Sequence, residues 1–152
     1  MSYIEDIRAL VGHAPLILVG AAVLILNDAG ELLMLLRTDN QSWGVPGGMM
    51  EPGERPEETA RRETREETGL TPGELTFFGV FSGPEYFYRY PNGDEVYNVS
   101  IIYTAQDVKG AVSVDPAEHS RMAFFPLDHL PEPLAPAIKP VLDIFIKARP
   151  GI

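Results

Sequence analysis

The sequence predicts an α+β fold, an α/β/α sandwich built around a mixed β-sheet. Three observations carry this expectation. Strand-like runs follow one another as hairpins, one strongly charged helix interrupts them as a long crossover, and helical periodicity marks both ends of the chain. At 152 residues the chain reads as one domain over 1–152, large enough to bury roughly two thirds of its unfolded surface.

The elements follow in order. Tyr3, Ile4, Ile7, Leu10 and Val11 recur at helical spacing ahead of Gly12, predicting a short amphipathic helix that serves packing or a homodimer contact. The apolar run Leu16 to Leu26 predicts a strand buried on both faces. Asn27-Asp28-Ala29-Gly30 reads as a turn, with Glu31 to Arg37 as the hairpin partner, and Trp43 to Pro46 as a third short strand. From Glu51 to Gly69 the chain becomes strongly charged. Pro56 suits a first helical position and Gly69 a left-handed stop, so a helix is expected over Pro56–Thr68. Residues 74–83 are strand-like; 85–90 and 95–106 flank the turn Pro91-Asn92-Gly93-Asp94 and pair as a long hairpin. Met122 to Phe125 adds a last strand, and Ile138, Val141, Leu142, Phe145 and Ile146 place a helix over residues 137–148.

Composition narrows the function. A net charge of −10 disfavours nucleic acid polymers and anionic membranes, whose binding depends on clustered Lys and Arg. A small polyphosphate is repelled as well, unless cations bind first and invert the local sign. Cysteine is absent, which excludes disulfides, thiolate metal sites and a Cys nucleophile. The longest apolar run has 11 residues, short of the roughly 20 that span a bilayer, and no secretory pattern opens the chain, so a cytoplasmic location is expected.

On the charged helix, Glu63, Glu66 and Glu67 fall within about 100° of one another at 100° per residue, so all three point one way. Thr59 and Ala60 continue that stripe, which leaves the helix without a conventional apolar face. Carboxylates four residues apart repel, and in a last turn they oppose the helix dipole. A bound divalent cation reverses both effects. Clustered carboxylates without His or Cys are hard donors that suit Mg2+, with Mn2+ as the alternative. Such an ion neutralises an incoming polyphosphate and activates water, which defines metal-assisted hydrolysis at phosphorus.

The run from Gly48 to Leu70 resembles the Nudix box: Gly, five residues, Glu, seven residues, then Arg-Glu-aliphatic-any-Glu-Glu-any-Gly-aliphatic. Gly48, Glu54, Arg62, Glu63, Glu66, Glu67, Gly69 and Leu70 match it, and Thr64 departs from it where an aliphatic residue is usual, a change read as looser packing under the helix. The resemblance implies the Nudix fold and hydrolysis of a nucleoside diphosphate linked to a further group X, such as ADP-ribose, a nucleotide sugar or a nucleoside triphosphate. It implies that Glu63, Glu66 and Glu67 hold divalent ions beside a loop shaped by Gly47 and Gly48, with Gly47 among the metal-site positions. Glu54 and Arg62 become a supporting pair. The general base stays open among Glu63, Glu66, Glu67 and Glu118. A nucleotide-binding domain without catalysis is the competing reading.

Outside the box, Arg37 ends a strand leading toward the site and suits a β-phosphate, or else is solvated. Trp43 stacks on a base or packs in the core, the commoner fate of a lone Trp beside a strand. Tyr86, Tyr88 and Tyr90 alternate as a base-binding wall or as one face of a hairpin strand. Met49 and Met50 fill space or edge the pocket. His13, His119 and His129 are scattered and receive no catalytic role.

Overall fold

The structure, a computed structural model, describes residues 2–149. In chain order the elements are α1 (Tyr3–Val11), β1 (Leu16–Ile25), β2 (Leu32–Arg37), β3 (Trp43–Gly44), β4 (Gly47–Met49), α2 (Pro56–Thr68), β5 (Thr71–Pro72), β6 (Thr76–Phe81), β7 (Phe87–Arg89), β8 (Glu95–Ala105), β9 (Val108–Lys109), β10 (His119–Phe125) and α3 (Lys139–Ala148), with a 3-10 turn at Pro84–Tyr86. The fold is α+β, as the sequence predicts.

The main sheet is mixed. It runs β4-β1-β8-β6, with β7 also on β8, and a second sheet runs β10-β2-β3. Parallel β1 and β8 are in register from Leu16↔Val96 to Ile25↔Ala105. Because side chains alternate along a strand, β1 divides its residues between two cores. Ala21, Val23 and Ile25 pack with Ala60 of α2, while Leu24 packs with Val141, Leu142 and Phe145 of α3. Helices therefore cover both faces, giving the expected sandwich.

Three expectations need correction. The hairpin between the first two strands is reduced to one bridge, Leu26↔Leu32. A strand covered on both faces sits inside a sheet, and β8 and β4 occupy its two edges, so β2 pairs with β10 and β3 instead. Burial of the first strand on both faces holds only from Gly20 onward, since Ile17 and Val19 remain 75% and 38% exposed where α2 does not reach. The third strand is split, with Gly47–Met49 forming a separate edge strand on β1.

The long hairpin is present but interrupted. β7 pairs with the start of β8, Tyr86 lies in the 3-10 turn, and β6 pairs with the rest. At the N-terminus α1 has no fully buried residue. Arg8 anchors it, donating to the carbonyls of Ala14 at 2.6 Å and Glu95 at 2.8 Å. Among the described residues no helix is long and apolar enough to cross a membrane.

Candidate active site

Helix α2 begins with Pro56 and ends at Gly69, whose φ of 75° is the left-handed conformation that glycine adopts freely. Its buried side is a row of small residues, Thr59, Ala60, Thr64 and Thr68, all fully enclosed. The Thr64 hydroxyl donates to the Ala60 carbonyl at 2.7 Å, and that of Thr68 to Thr64 at 2.6 Å, so neither leaves an unmet polar group. This corrects two expectations. The acidic stripe borders the packing face rather than replacing it, and Thr64 is closely packed rather than loose.

The glutamates differ in setting. Glu67 is 7% exposed, Glu63 is half-buried, and Glu66 is 57% exposed on the rim. The amide of Gly47 donates to Glu67 Oε1 at 2.8 Å. Gly48 lies over the Glu63 carboxylate, and a Cβ there would fall 2.5 Å from Oε1. Gly48 therefore lets the strand pass over Glu63 as no side-chain-bearing residue would, whereas at Gly47 a Cβ would meet Ala22 and the Ala21 carbonyl of β1.

Arg62 ties the arrangement together. It grips Glu54 with Nε at 2.7 Å and Nη2 at 3.0 Å, reaches Glu63 at 2.9 Å and Glu66 at 3.3 Å, and donates to the Met49 carbonyl at 3.2 Å. The guanidinium holds Glu54 far below the usual carboxylate range, at about 2. Glu54 in turn accepts from the Glu51 amide at 2.8 Å and the Thr59 hydroxyl at 2.9 Å. The pair orients the box residues from behind.

Glu63, Glu67 and Glu118 line one cavity with Gly47, Arg37, Asp39 and His119; Glu66 stays outside it, against Arg62. Burial pushes Glu67 up to about 8, opposed by the Gly47 amide and reinforced by Glu63 and Glu118. Burial likewise raises Glu63, against the pull of Arg62. Arg62 partly compensates Glu63, but Glu67 has no Arg or Lys within ion-pair distance among the described residues, which is the condition a hard divalent cation relieves. The oxygen donor set fits Mg2+ or Mn2+.

His119 is the residue that sequence reading misses. Only 5% exposed, it places Nε2 3.6 Å from Glu67 Oε2, and one ligand atom each from Glu67, Glu118 and His119 lies within 4.8 Å of the others. Burial and Arg37 depress its pKa, so the ring is neutral at physiological pH. Its Nδ1 has no partner among the described residues. The only signal in the sequence is adjacency to Glu118.

A second cleft adjoins this cavity and shares Arg37, Asp39 and Gly47 with it. It is a cleft open to solvent rather than an enclosed cavity. Arg37 stands at the junction with its fork engaged by Asp39 at 2.8 and 3.0 Å. Tyr88, Tyr90 and Met49 line the cleft, whereas Tyr86 is buried at 3% exposure because the 3-10 turn breaks the alternation. Trp43 does not reach it. At 6% exposure it packs edge-on against Phe125, with Arg121 over its ring, so the expectation of base stacking is replaced by a core role.

These features define a class: an α/β/α protein with a carboxylate helix suited to divalent cations, set beside a cleft for an organic group. The NUDIX domain family matches the chain over residues 17–145, and the chain belongs to that family. It is 34% identical over 112 residues to an ADP-ribose pyrophosphatase of Methanocaldococcus jannaschii, covering 71% of this chain and 62% of that protein. It is also 45% identical over 56 residues to a mouse bis(5'-nucleosyl)-tetraphosphatase, covering 36% and 38%. The chain thus spans less than two thirds of either enzyme's length. The crystal structure of a MutT NUDIX hydrolase from Burkholderia pseudomallei superposes with a TM-score of 0.72 at 30% identity, covering 84% of this chain and 96% of that one.

Proposed function

We propose that the protein is a divalent-metal-dependent hydrolase that cuts a phosphoanhydride bond in a nucleoside diphosphate linked to a further group. The observation that carries this reading is the junction of two compartments: a cavity lined by Glu63, Glu67 and Glu118, and an aromatic cleft, joined at Gly47 and Arg37. Their order matches a molecule with a pyrophosphate at one end and an organic group at the other. The names of the family relatives, which act on ADP-ribose or bis-nucleosyl tetraphosphates, support the same substrate class.

Glu63, Glu66 and Glu67 would hold the cation, with Glu66 closing from the solvent side and the Gly47 amide fixing Glu67. The cation supplies Lewis acidity at phosphorus and lowers the pKa of bound water. Glu118 is the proton acceptor. It comes from the segment before β10 rather than from α2, lines the cavity, and its carboxylate has no hydrogen bond among the described residues. A carboxylate held by metal is a poor base, so Glu118 takes this role with the cation on the box glutamates rather than on the Glu67, Glu118 and His119 grouping. Water adds to phosphorus, its proton passes to Glu118, and the bond to the bridging oxygen breaks. Two fragments leave, each bearing a phosphate.

The test is a panel of nucleotides, dinucleoside polyphosphates and nucleotide sugars with Mg2+ or Mn2+, reading phosphate after phosphatase coupling. Turnover on at least one compound, abolished by chelator and lowered at least about a hundredfold in Glu67→Gln, is the expected result. A silent panel, or full activity in that variant, overturns the reading.

A further inference from the structure

The floor of the aromatic cleft is a patch of the main sheet stripped of bulk. On the face of the sheet that meets α3, Leu24 of β1 and Ile102 of β8 are buried in the core. Farther toward the N-terminal ends of the same two strands, that face carries Gly20 and Ala22 on β1 and Asn98 and Ser100 on β8, all of which line the cleft. Gly20 pairs directly with Ser100. Gly20 has a packing reason, since a Cβ there would meet the Gly48 carbonyl oxygen at 2.9 Å. Packing offers no reason for Asn98 and Ser100 at interior positions of a central strand, where apolar residues are the norm.

Asn98 is 8% exposed, and its amide is oriented by the protein. Nδ2 donates to the Tyr86 carbonyl at 3.2 Å, which turns Oδ1 the other way. That oxygen has no partner among the described residues and is not sealed from solvent, so it opens onto the cleft as a bare acceptor. Ser100, two residues on and roughly 7 Å away, points to the same side with no hydrogen bond to its hydroxyl among the described residues. With Nδ2 committed to Tyr86, Oδ1 is the atom of this side chain left to accept from a donor that arrives with a ligand.

The surroundings specify the rest of that ligand. Among the described residues, Arg37 and Asp39 are the only charged ones lining the cleft, and they are spent on each other at its junction with the acidic cavity. The far end is therefore uncharged and suits neither a second phosphate nor a carboxylate. Tyr88 and Tyr90, with ring centroids 4.7 Å apart and planes at 87°, wall it with aromatic surface. A neutral, flat, hydrogen-bonding ring satisfies every element.

Resting on the substrate class proposed above, we infer that this end of the cleft binds the substrate's nucleobase and selects a base bearing an exocyclic amino group, which donates to Asn98 Oδ1. Ser100 meets the neighbouring position on the same edge. Adenine and guanine carry such a group; hypoxanthine has none.

The experiment uses the uncharged nucleosides adenosine, guanosine and inosine, with chelator present, so that neither phosphate repulsion nor metal enters. Binding is followed by backbone amide shifts in NMR titrations of the full chain. Adenosine or guanosine should move the signals of Asn98, Ser100 and Tyr90 and bind about tenfold more tightly than inosine, the factor one neutral hydrogen bond supplies. Asn98→Leu, which keeps the volume and removes the acceptor, should erase the difference. Ser100→Val, which leaves the bond to Tyr86 intact and fills the floor, should weaken every nucleoside. Equal binding of inosine to the native chain, or shifts confined to another surface, overturns the inference. Its failure is separable from that of the hydrolase reading. Nucleotide turnover without nucleoside discrimination sinks the base assignment alone, and discrimination without turnover sinks only the hydrolase.

Discussion

Gly48→Ala isolates the geometry of one carboxylate from everything else in the site. The φ of Gly48 lies outside the left-handed region, so the backbone itself accepts alanine. The obstacle is Glu63. The new methyl carbon would sit 2.5 Å from Oε1 where ordinary contact begins at 3.4 Å, so the carboxylate must retreat by about 0.9 Å. A displacement of about 1 Å in a catalytic constellation costs on the order of a hundredfold in rate. The retreat also strains the bond that Arg62 makes to the same oxygen at 2.9 Å, leaving Glu54 and Arg62 to hold position. Hydrolysis measured as kcat/KM should fall about a hundredfold, because Glu63 is a proposed metal ligand and Gly48 itself lines the organic cleft. The melting temperature should drop by no more than about 4 °C, the cost of roughly 1 kcal/mol in a chain of this size. A variant hydrolysing at the native rate would refute the view that Gly48 exists to admit the Glu63 carboxylate. So would one that unfolds outright, since the methyl group would then be disrupting packing rather than the site.

Two further outcomes follow from burial. Folded Glu67 keeps its proton up to about 8 against 4.5 for an ordinary exposed glutamate, so this carboxylate's contribution to stability is complete below 4.5 and is lost as pH rises to 8. The metal-free protein should therefore melt progressively lower between those limits, added Mg2+ should restore the loss, and Glu67→Gln should flatten the profile; a metal-free melting temperature independent of pH across that window contradicts the assignment. At Trp43, core packing predicts that Trp43→Ala costs about 3–5 kcal/mol in denaturant unfolding, while Trp43→Phe leaves KM for every nucleotide within about twofold. A tenfold rise in KM for Trp43→Phe would return the ring to the ligand site.

What could be read from the sequence was local. The bounds of α2 follow from Pro56 and Gly69, two residues whose backbone preferences need no partner. The box spacing brings Glu54, Arg62 and Glu63 into one network because it spans a single loop and helix. By contrast, the parallel pairing of β1 with β8 joins residues about 80 positions apart, and nothing in the apolar run Leu16 to Leu26 names its partner. The Gly47–Met49 strand has no strand propensity to detect; it forms because β1 offers an edge, where only glycine fits against Ala22 at position 47 and against Glu63 at position 48. His119 and Asn98 illustrate the same limit. Each is an ordinary polar residue in a strand until the fold brings Glu67 to one and an aromatic cleft to the other.

The charge of the chain and the layout of its cleft impose one more constraint. A net charge of −10 repels polyphosphate at long range, and the cavity nearest the phosphates is itself lined by three glutamates. The one guanidinium at the junction is already bound in both arms of its fork by Asp39, so a phosphate must displace a carboxylate to use it. Among the described residues lining the two compartments, no free cation therefore draws the charged end of the proposed substrate inward. The far compartment, uncharged and aromatic, draws the other end through contact and hydrogen bonding alone. Under the proposed function, attraction for the phosphates has to be imported with the cation, which would make occupancy of the acidic cavity a condition of tight binding as well as of chemistry. In such a site, selectivity resides in the neutral compartment and affinity in the metal.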